Sequence, residues 1–206
     1  MNNTLFLTPG SGNSFKPALV MRQTERRCAV RYLDVLVGEN RQPEYLAVNP
    51  RGKLPFLVLA DGRGIGESNA IAWWLAEGTA LMPACAATRA QALQWMIFEQ
   101  TSLEPAISPA RFFTHIVPSQ REAHAAEMPR WLDQGYRALA ILDEHLAQRD
   151  YVTDHGYSVA DVAVFGYTHL AGEGGFDLSR FPSVARWMRN VRRSPGYVEI
   201  DALLAP

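Results

Sequence analysis

Pro50-Arg51-Gly52-Lys53-Leu54-Pro55-Phe56, PRGKLPF, and the nearby Gly66-Glu67-Ser68-Asn69-Ala70-Ile71, GESNAI, decide how this chain is read. Of its 20 basic residues only Lys16 and Lys53 are lysines, and Lys53 stands in a corner between a glycine and a proline. The apolar run that follows, residues 56–59, reads as a short strand bounded by turn residues. Taken by itself, Pro55 is expected to be trans at the first position of that strand, because only ~5% of X-Pro bonds in folded proteins are cis. In a cis form the N–H and C=O of Leu54 would face outward as an unpaired strand edge. Such an edge takes an extended peptide backbone, and the Lys53 ammonium beside it could take a carboxylate. Glu67 and Ser68 also carry two readings: a helix cap with dipole compensation, or a clamp on the ammonium and carboxylate of an amino acid.

Working outward from this corner, the chain has two characters. Residues 5–7, 29–34 and 56–59 are β-type runs separated by helical stretches at 15–24 and 70–75, the pattern of a small α/β unit. From about residue 87 onward Leu93, Met96, Ile97 and Gln100, and then Leu132, Tyr136, Leu139, Leu142 and Leu146, recur three or four apart, which is the spacing of a helix bundle. The stretch GTALMPA, residues 78–84, has a Gly, a Pro and no periodicity. The expected organisation is an α/β domain over 1–79, a linker over 80–86 and an all-helical domain over 87–206. In the second half Ser158 and Asp161 have capping-box spacing, with Tyr157 and Val162 at the staple positions. The helix they open, expected over 159–170, is apolar almost all round and therefore central and buried.

Composition bounds the partners. At 48% hydrophobic residues over 206 positions the chain can bury a substantial core. Twenty basic against 21 acidic residues leave no electrostatic footprint for nucleic acid or for an anionic membrane. Cys28 and Cys85 belong to no CxxC or metal-spaced cluster, so a reducing compartment is expected, with no disulfide framework and no metal. The opening MNNTLFLTPG lacks a charged n-region, and no run approaches the ~20 apolar residues of a membrane span. The simplest expected compartment is the cytoplasm.

Thr8-Pro9-Gly10-Ser11-Gly12-Asn13-Ser14-Phe15-Lys16-Pro17 reads as a strand-to-helix corner. Two glycines turn the backbone, Ser14 or Asn13 can cap the helix, and Pro17 is tolerated near its start. Backbone N–H groups and the positive end of a helix dipole converge there and favour an anion, for which a thiolate would qualify. Ser11, Asn13 and Ser14 are read equally well as turn and cap residues alone.

Taken together, NPRGKLPFLVLADGRGIGESNAIAWWLAE resembles the NPxGKxPxL…ESxAIxxYLAE signature of the glutathione transferase family, and the Ser158/Asp161 box matches that family's helical-domain motif. The resemblance spans both halves. It implies a thioredoxin-like N-terminal domain joined to an all-helical C-terminal domain, usually in a homodimer. It further implies that Pro55 is cis, that the Leu54 backbone pairs with the cysteinyl part of glutathione, that Glu67 and Ser68 hold the γ-glutamyl end, and that Lys53 holds the glycyl side. Glutathione is then a co-substrate and no cofactor is expected.

No Tyr or Cys stands between Leu5 and Ala18, so a serine is the available activating hydroxyl. Phe15-Lys16 resembles the aromatic-basic pair that follows the catalytic serine in serine-type transferases, which places Ser11 at that position. The same register is similar to nu-class bacterial enzymes, where a threonine and an asparagine two residues apart surround the glutathione sulfur. Ser11 and Asn13 would fill those roles. The physical need is clear, because a free thiol with a pKa near ~8.5 is only a few per cent thiolate at neutral pH.

The resemblance also implies an electrophile site between the domains, lined by the first long helix of the bundle. There Glu104-Pro105-Ala106-Ile107-Ser108-Pro109-Ala110-Arg111-Phe112-Phe113 is expected to break the helix at two prolines and offer Arg111 to a carboxylate or a second glutathione, beside Phe112. Core packing is the other reading of the two phenylalanines. The function implied is conjugation of glutathione to small electrophiles. The alternatives are glutathione-dependent reduction of disulfide substrates and a non-catalytic binding module.

Overall fold

The structure is a computed structural model and describes residues 2–205. Two compact units divide the chain: one runs through Met82 and includes the segment from Pro195 onward, and the other is Pro83–Ser194.

The first unit is built on a four-stranded mixed sheet in the order β2-β1-β3-β4, with β1 Thr4–Leu7, β2 Ala29–Tyr32, β3 Phe56–Val58 and β4 Gly64–Ile65. β1 runs parallel to β2 and antiparallel to β3, with Leu5 opposite Val30 on one side and Leu57 on the other. The parallel pair requires a crossover, which α1 (Gly12–Gln23) supplies. β1 is a short apolar run buried from Leu5 to Leu7 because it is central. α1 packs against α3 (Ser68–Ala76), and Phe15, Leu19, Ile71 and Leu75 are completely buried. Phe6 contacts Tyr45 of the short α2 (Pro43–Leu46) at a ring separation of 5.3 Å.

Three expectations for this unit are corrected. α1 starts at Gly12, three residues before the expected start, and its cap is Ser11, not Ser14 or Asn13. Ser14 cannot serve because its hydroxyl is committed to the strand end, accepting the Thr8 N–H at 3.0 Å. The expected run 29–34 closes at Tyr32, where the β1 partner strand also ends. The last helix, α9 (Ile200–Leu203), packs on α1 and so belongs with the sheet unit and not with the helical one. Ile200 and Leu204 are buried there, and Gln23 Nε2 donates to the Pro195 carbonyl at 3.1 Å.

The second unit is all helical: α4 (Ala86–Phe98), α5 (Glu104–Arg111), α6 (Met128–Leu146), α7 (Val159–Thr168) and α8 (Pro182–Arg192). The expected break at the prolines does not occur. α4 continues through a π-helical turn, Glu99–Leu103, into α5, and a second π turn, Phe112–Ile116, follows. Pro105 lacks an N–H and its ring would crowd the carbonyl four residues earlier, that of Thr101. Thr101 lies inside the first π turn, where one extra residue widens the ladder. α6 approaches its neighbours closely at Gly135, where a Cβ would sit 2.3 Å from the Phe176 ring and 3.4 Å from Ala106 Cβ.

α7 is buried at every position from Val159 to Thr168. Its capping box is present, and Asp161 does more than cap. One carboxylate oxygen accepts the Ser158 N–H (2.9 Å) and hydroxyl (3.1 Å), while the other accepts the Val152 N–H and the Trp187 Nε1–H, both at 2.9 Å. Complete burial raises the Asp161 pKa to about 6, against the pull of those four donors. No helix among the described residues is long and apolar enough to cross a membrane.

Candidate functional site

Of the sequence-predicted residues of the first unit, Ser11, Asn13, Glu67 and Ser68 lie at two helix starts, and Lys53, Leu54 and Pro55 just ahead of β3. At the first, Gly10 takes the left-handed conformation (φ +66°), which lets the chain turn out of β1 within three residues of its end. Ser11 then has extended backbone, and its Oγ accepts the Ser14 N–H at 3.3 Å. Ser11 and Asn13 are half-buried, whereas Ser14 is completely buried.

At the second, Ser68 opens α3 and is buried, and its Oγ donates to Asn13 Oδ1 at 3.0 Å. The two corners, 55 residues apart in sequence, are thus one side-chain cluster. Lys16 completes it. Its side chain is fully buried, and Nζ donates to Asn13 Oδ1 at 3.0 Å and to Ser68 Oγ at 3.4 Å. Lys16 was not among the expected site residues. Its sequence signals are rarity, as one of two lysines in an arginine-rich chain, and its place in the Phe15-Lys16 pair, which serves only to set the register of Ser11.

Glu67, at the N-cap of α3, has φ +66° and ψ 119°, a conformation that costs a non-glycine residue about 1–3 kcal/mol and that collects at functional sites. Its exposed carboxylate is held by Arg51, Nη1 to Oε1 at 2.9 Å. Arg51 is a second residue that sequence reasoning missed, since nothing distinguishes it among 18 arginines.

The GKLP segment is fixed from behind. The Lys53 carbonyl accepts the Tyr45 hydroxyl (2.7 Å) and Asn49 Nδ2 (2.9 Å), and the Gly52 carbonyl accepts Asn40 Nδ2 (2.7 Å). Gly52 has φ +60°, and a Cβ there would lie 2.9 Å from the Asn40 carbonyl. The Leu54–Pro55 peptide bond is cis, as the family resemblance implies and against the expectation from general frequency. Lys53 is exposed and Leu54 half-buried, just ahead of the last β1–β3 pair, Phe6 with Phe56.

Arg111 and Phe112 lie in the helical unit. The expected role of Arg111 as a cation offered to a ligand is not what the structure has: the residue is buried, and its Nε donates to Glu173 Oε2 at 2.6 Å. Glu173 also faces His115 Nε2 at 3.4 Å. Phe112 is half-buried and meets Phe113 edge-on at 5.2 Å. Among the described residues no group of three or more His, Cys, Asp or Glu side chains could hold a metal ion.

Comparison with known proteins agrees with this architecture. Residues 25–77 match the glutathione S-transferase N-terminal domain and residues 95–195 the C-terminal domain. A solved structure of a possible glutathione S-transferase from Rhodopseudomonas palustris is 42% identical, covers 98% of each chain and superposes with a TM-score of 0.94. The chain belongs to the glutathione S-transferase family, as a relative of the bacterial serine-type and nu-class-like members. The Escherichia coli (strain K12) disulfide-bond oxidoreductase YfcG is 28% identical over 198 residues, 93% of this chain and 90% of the relative. Ure2p in complex with S-hexylglutathione is 27% identical with a TM-score of 0.82, covering 98% of each chain.

Proposed function

We propose that the protein binds glutathione at the Ser11–Asn13–Ser68 cluster and uses its thiolate to reduce disulfides. The observation that carries this reading is that cluster: hydroxyl and amide groups at the positive end of a twelve-residue helix, with no cysteine in it. The relation to the disulfide-bond oxidoreductase and to a protein that binds a glutathione conjugate supports it.

In this reading Ser11 and Asn13 donate to the sulfur, Glu67 and Ser68 take the γ-glutamyl end, the Leu54 backbone pairs with the cysteinyl unit next to Pro55, and Lys53 takes the glycyl carboxylate. Arg51 keeps Glu67 oriented. The thiolate attacks one sulfur of a disulfide, forming a mixed disulfide as the old S–S bond breaks and its electron pair leaves on the second sulfur. A second glutathione thiolate then attacks the mixed disulfide, releasing glutathione disulfide and the other thiol. Two glutathiones are oxidised and one disulfide is reduced.

Ser11 acts as a donor and keeps its proton. Each pKa unit by which the donors lower the thiol is worth about 1.4 kcal/mol. A moderate shift is the useful one, because nucleophilicity falls as the thiol acidifies.

Conjugation to small electrophiles is the second reading, favoured by the same thiolate-stabilising corner. Turnover of hydroxyethyl disulfide against a chloronitrobenzene separates the two. Disulfide turnover well above conjugation is expected, and the reverse would replace the first reading by the second. Failure to bind immobilised glutathione would reduce the protein to a binding module of the same fold. We also take the working form to be a homodimer, consistent with the exposed Leu93, Ile97 and Ile141 of the helical unit, and light scattering in solution tests it.

A further inference from the structure

Lys16 has the strongest unexplained environment in the molecule. Removing an ammonium from water is costly, and a methionine would fill the same space without that cost. The chain nevertheless buries this one completely, against two residues of the proposed site.

The geometry determines what the ammonium does. A carboxamide is nearly symmetric in shape but not in chemistry: its oxygen only accepts and its NH2 only donates. Asn13 Oδ1 is the point on which two donors converge, Lys16 Nζ at 3.0 Å and Ser68 Oγ at 3.0 Å. A flipped amide would set its NH2 against an ammonium and a hydroxyl proton, so only one orientation is compatible with the charge. Ser68 Oγ accepts from the same ammonium at 3.4 Å, and its proton is thereby directed at Asn13. Lys16 is one helical turn beyond Asn13 on α1, and Ser68 is the first residue of α3, so the ammonium ties the two helix starts together.

We propose that Lys16 is the positioning residue of the thiol corner: it locks the Asn13 carboxamide with its NH2 turned to the glutathione sulfur and couples that amide to the γ-glutamyl subsite through Ser68. This rests on the glutathione-binding reading given above. The sulfur then meets a donor already oriented before the ligand arrives, so thiol ionisation bears no cost of reorganising that amide. Occupation of the Ser68 subsite and ionisation at Asn13 are linked through one cation, which makes an intact γ-glutamyl group a requirement for full activation and not only for affinity.

The test measures the ultraviolet absorption of the bound thiolate against pH, together with the dissociation constant, in wild type, Lys16→Met, Lys16→Arg, Asn13→Ala and the Asn13→Ala/Lys16→Met double variant. Lys16→Met should raise the bound thiol's pKa by about one unit, a roughly ten-fold fall in the thiolate-to-thiol ratio at any given pH, while affinity changes less than about three-fold. Lys16→Arg should restore part of it. The double variant should match Asn13→Ala, because a residue that acts through another adds nothing once that partner is gone. An unchanged thiol pKa in folded Lys16→Met, or independent effects in the double variant, overturns the proposal while leaving glutathione binding intact. Wild type that binds no glutathione removes the underlying reading and this inference with it. A measurement that needs no core substitution accompanies these: in 15N-labelled wild type the Asn13 side-chain NH2 signals, assigned by their loss in Asn13→Ala, should shift on adding glutathione and much less on adding S-methylglutathione. Equal shifts overturn the proposal.

Discussion

Ser11 caps α1 and, in the proposed reading, also donates to the glutathione sulfur, so a substitution there has two readouts. Ser11→Ala removes the acceptor for the Ser14 N–H, which costs about 1 kcal/mol of stability. It should also lower the thiolate absorption of bound glutathione at neutral pH more than it lowers affinity. Equal thiolate in both proteins would transfer the role to Asn13 or the backbone. Glu67→Ala should act the other way, raising the glutathione dissociation constant about ten-fold, or about 1.4 kcal/mol, with the thiol pKa little changed; calorimetric titration checks it, and unaltered affinity contradicts the clamp. The cis Leu54–Pro55 bond and the placing of Glu67 and Ser68 at a helix start were legible in the sequence, through the likeness of GKLP and ESNAI to the family signature. The identity of the cap was not. Ser11, Asn13 and Ser14 are all competent caps within four positions, and tertiary partners decide among them: the Thr8 N–H takes Ser14, while Lys16 and Ser68 take Asn13 Oδ1. Lys16 meets Asn13 within one turn of α1, but the partner that joins it to α3, Ser68, is 52 residues away, as Glu67 is 16 residues from Arg51, and such distant pairings leave no local pattern.

Among the elements, α7 is the one whose stability should depend most visibly on pH. The folded-state pKa of Asp161, about 6, lies above the ordinary aspartate value of 3.8, so the folded protein binds more protons than the unfolded chain between those two values. Stability from this group is therefore greatest below pH about 4 and falls as pH rises through about 6, by up to about 3 kcal/mol in all. Asp161→Asn carries no such titration. It also turns an NH2 toward donors such as the Val152 N–H and the Trp187 indole, so it should be the less stable protein throughout. The margin of wild type over this variant should widen as pH is lowered from 7 to 4, measured by denaturant unfolding; a constant margin would mean that Asp161 titrates alike in both states. The capping box and the all-apolar helix were readable from sequence because both are local patterns. The course of residues 99–116 was not: Pro105 and Pro109 signal a break, and only packing selects π turns as the way to keep the helix continuous.

At the level of the whole molecule, the two-unit organisation follows from a change of periodicity that the sequence displays. Its closing segment does not follow, because the four residues of α9 are too short to show any period. Leu204 is nearly fully buried in the sheet unit, so Leu204→Ala should cost that unit about 2 kcal/mol. Glutathione at about 100 times its dissociation constant stabilises whatever binds it by about 2.7 kcal/mol and should offset the loss. Thermal unfolding with and without glutathione checks this; a variant melting like wild type in both conditions would mean that α9 contributes nothing to the unit.

The return of the chain at Pro195 also sets an order of assembly. A ribosome delivers the sheet and α1 first, then all of Pro83–Ser194, and only afterwards the residues that cover α1. The helical unit is complete once Ser194 is made, whereas the unit that carries Ser11, Lys16 and Ser68 lacks the cover over α1 until the segment from Pro195 has been synthesised. The unit that bears the candidate site is therefore finished after the one that does not, although its own strands are made first.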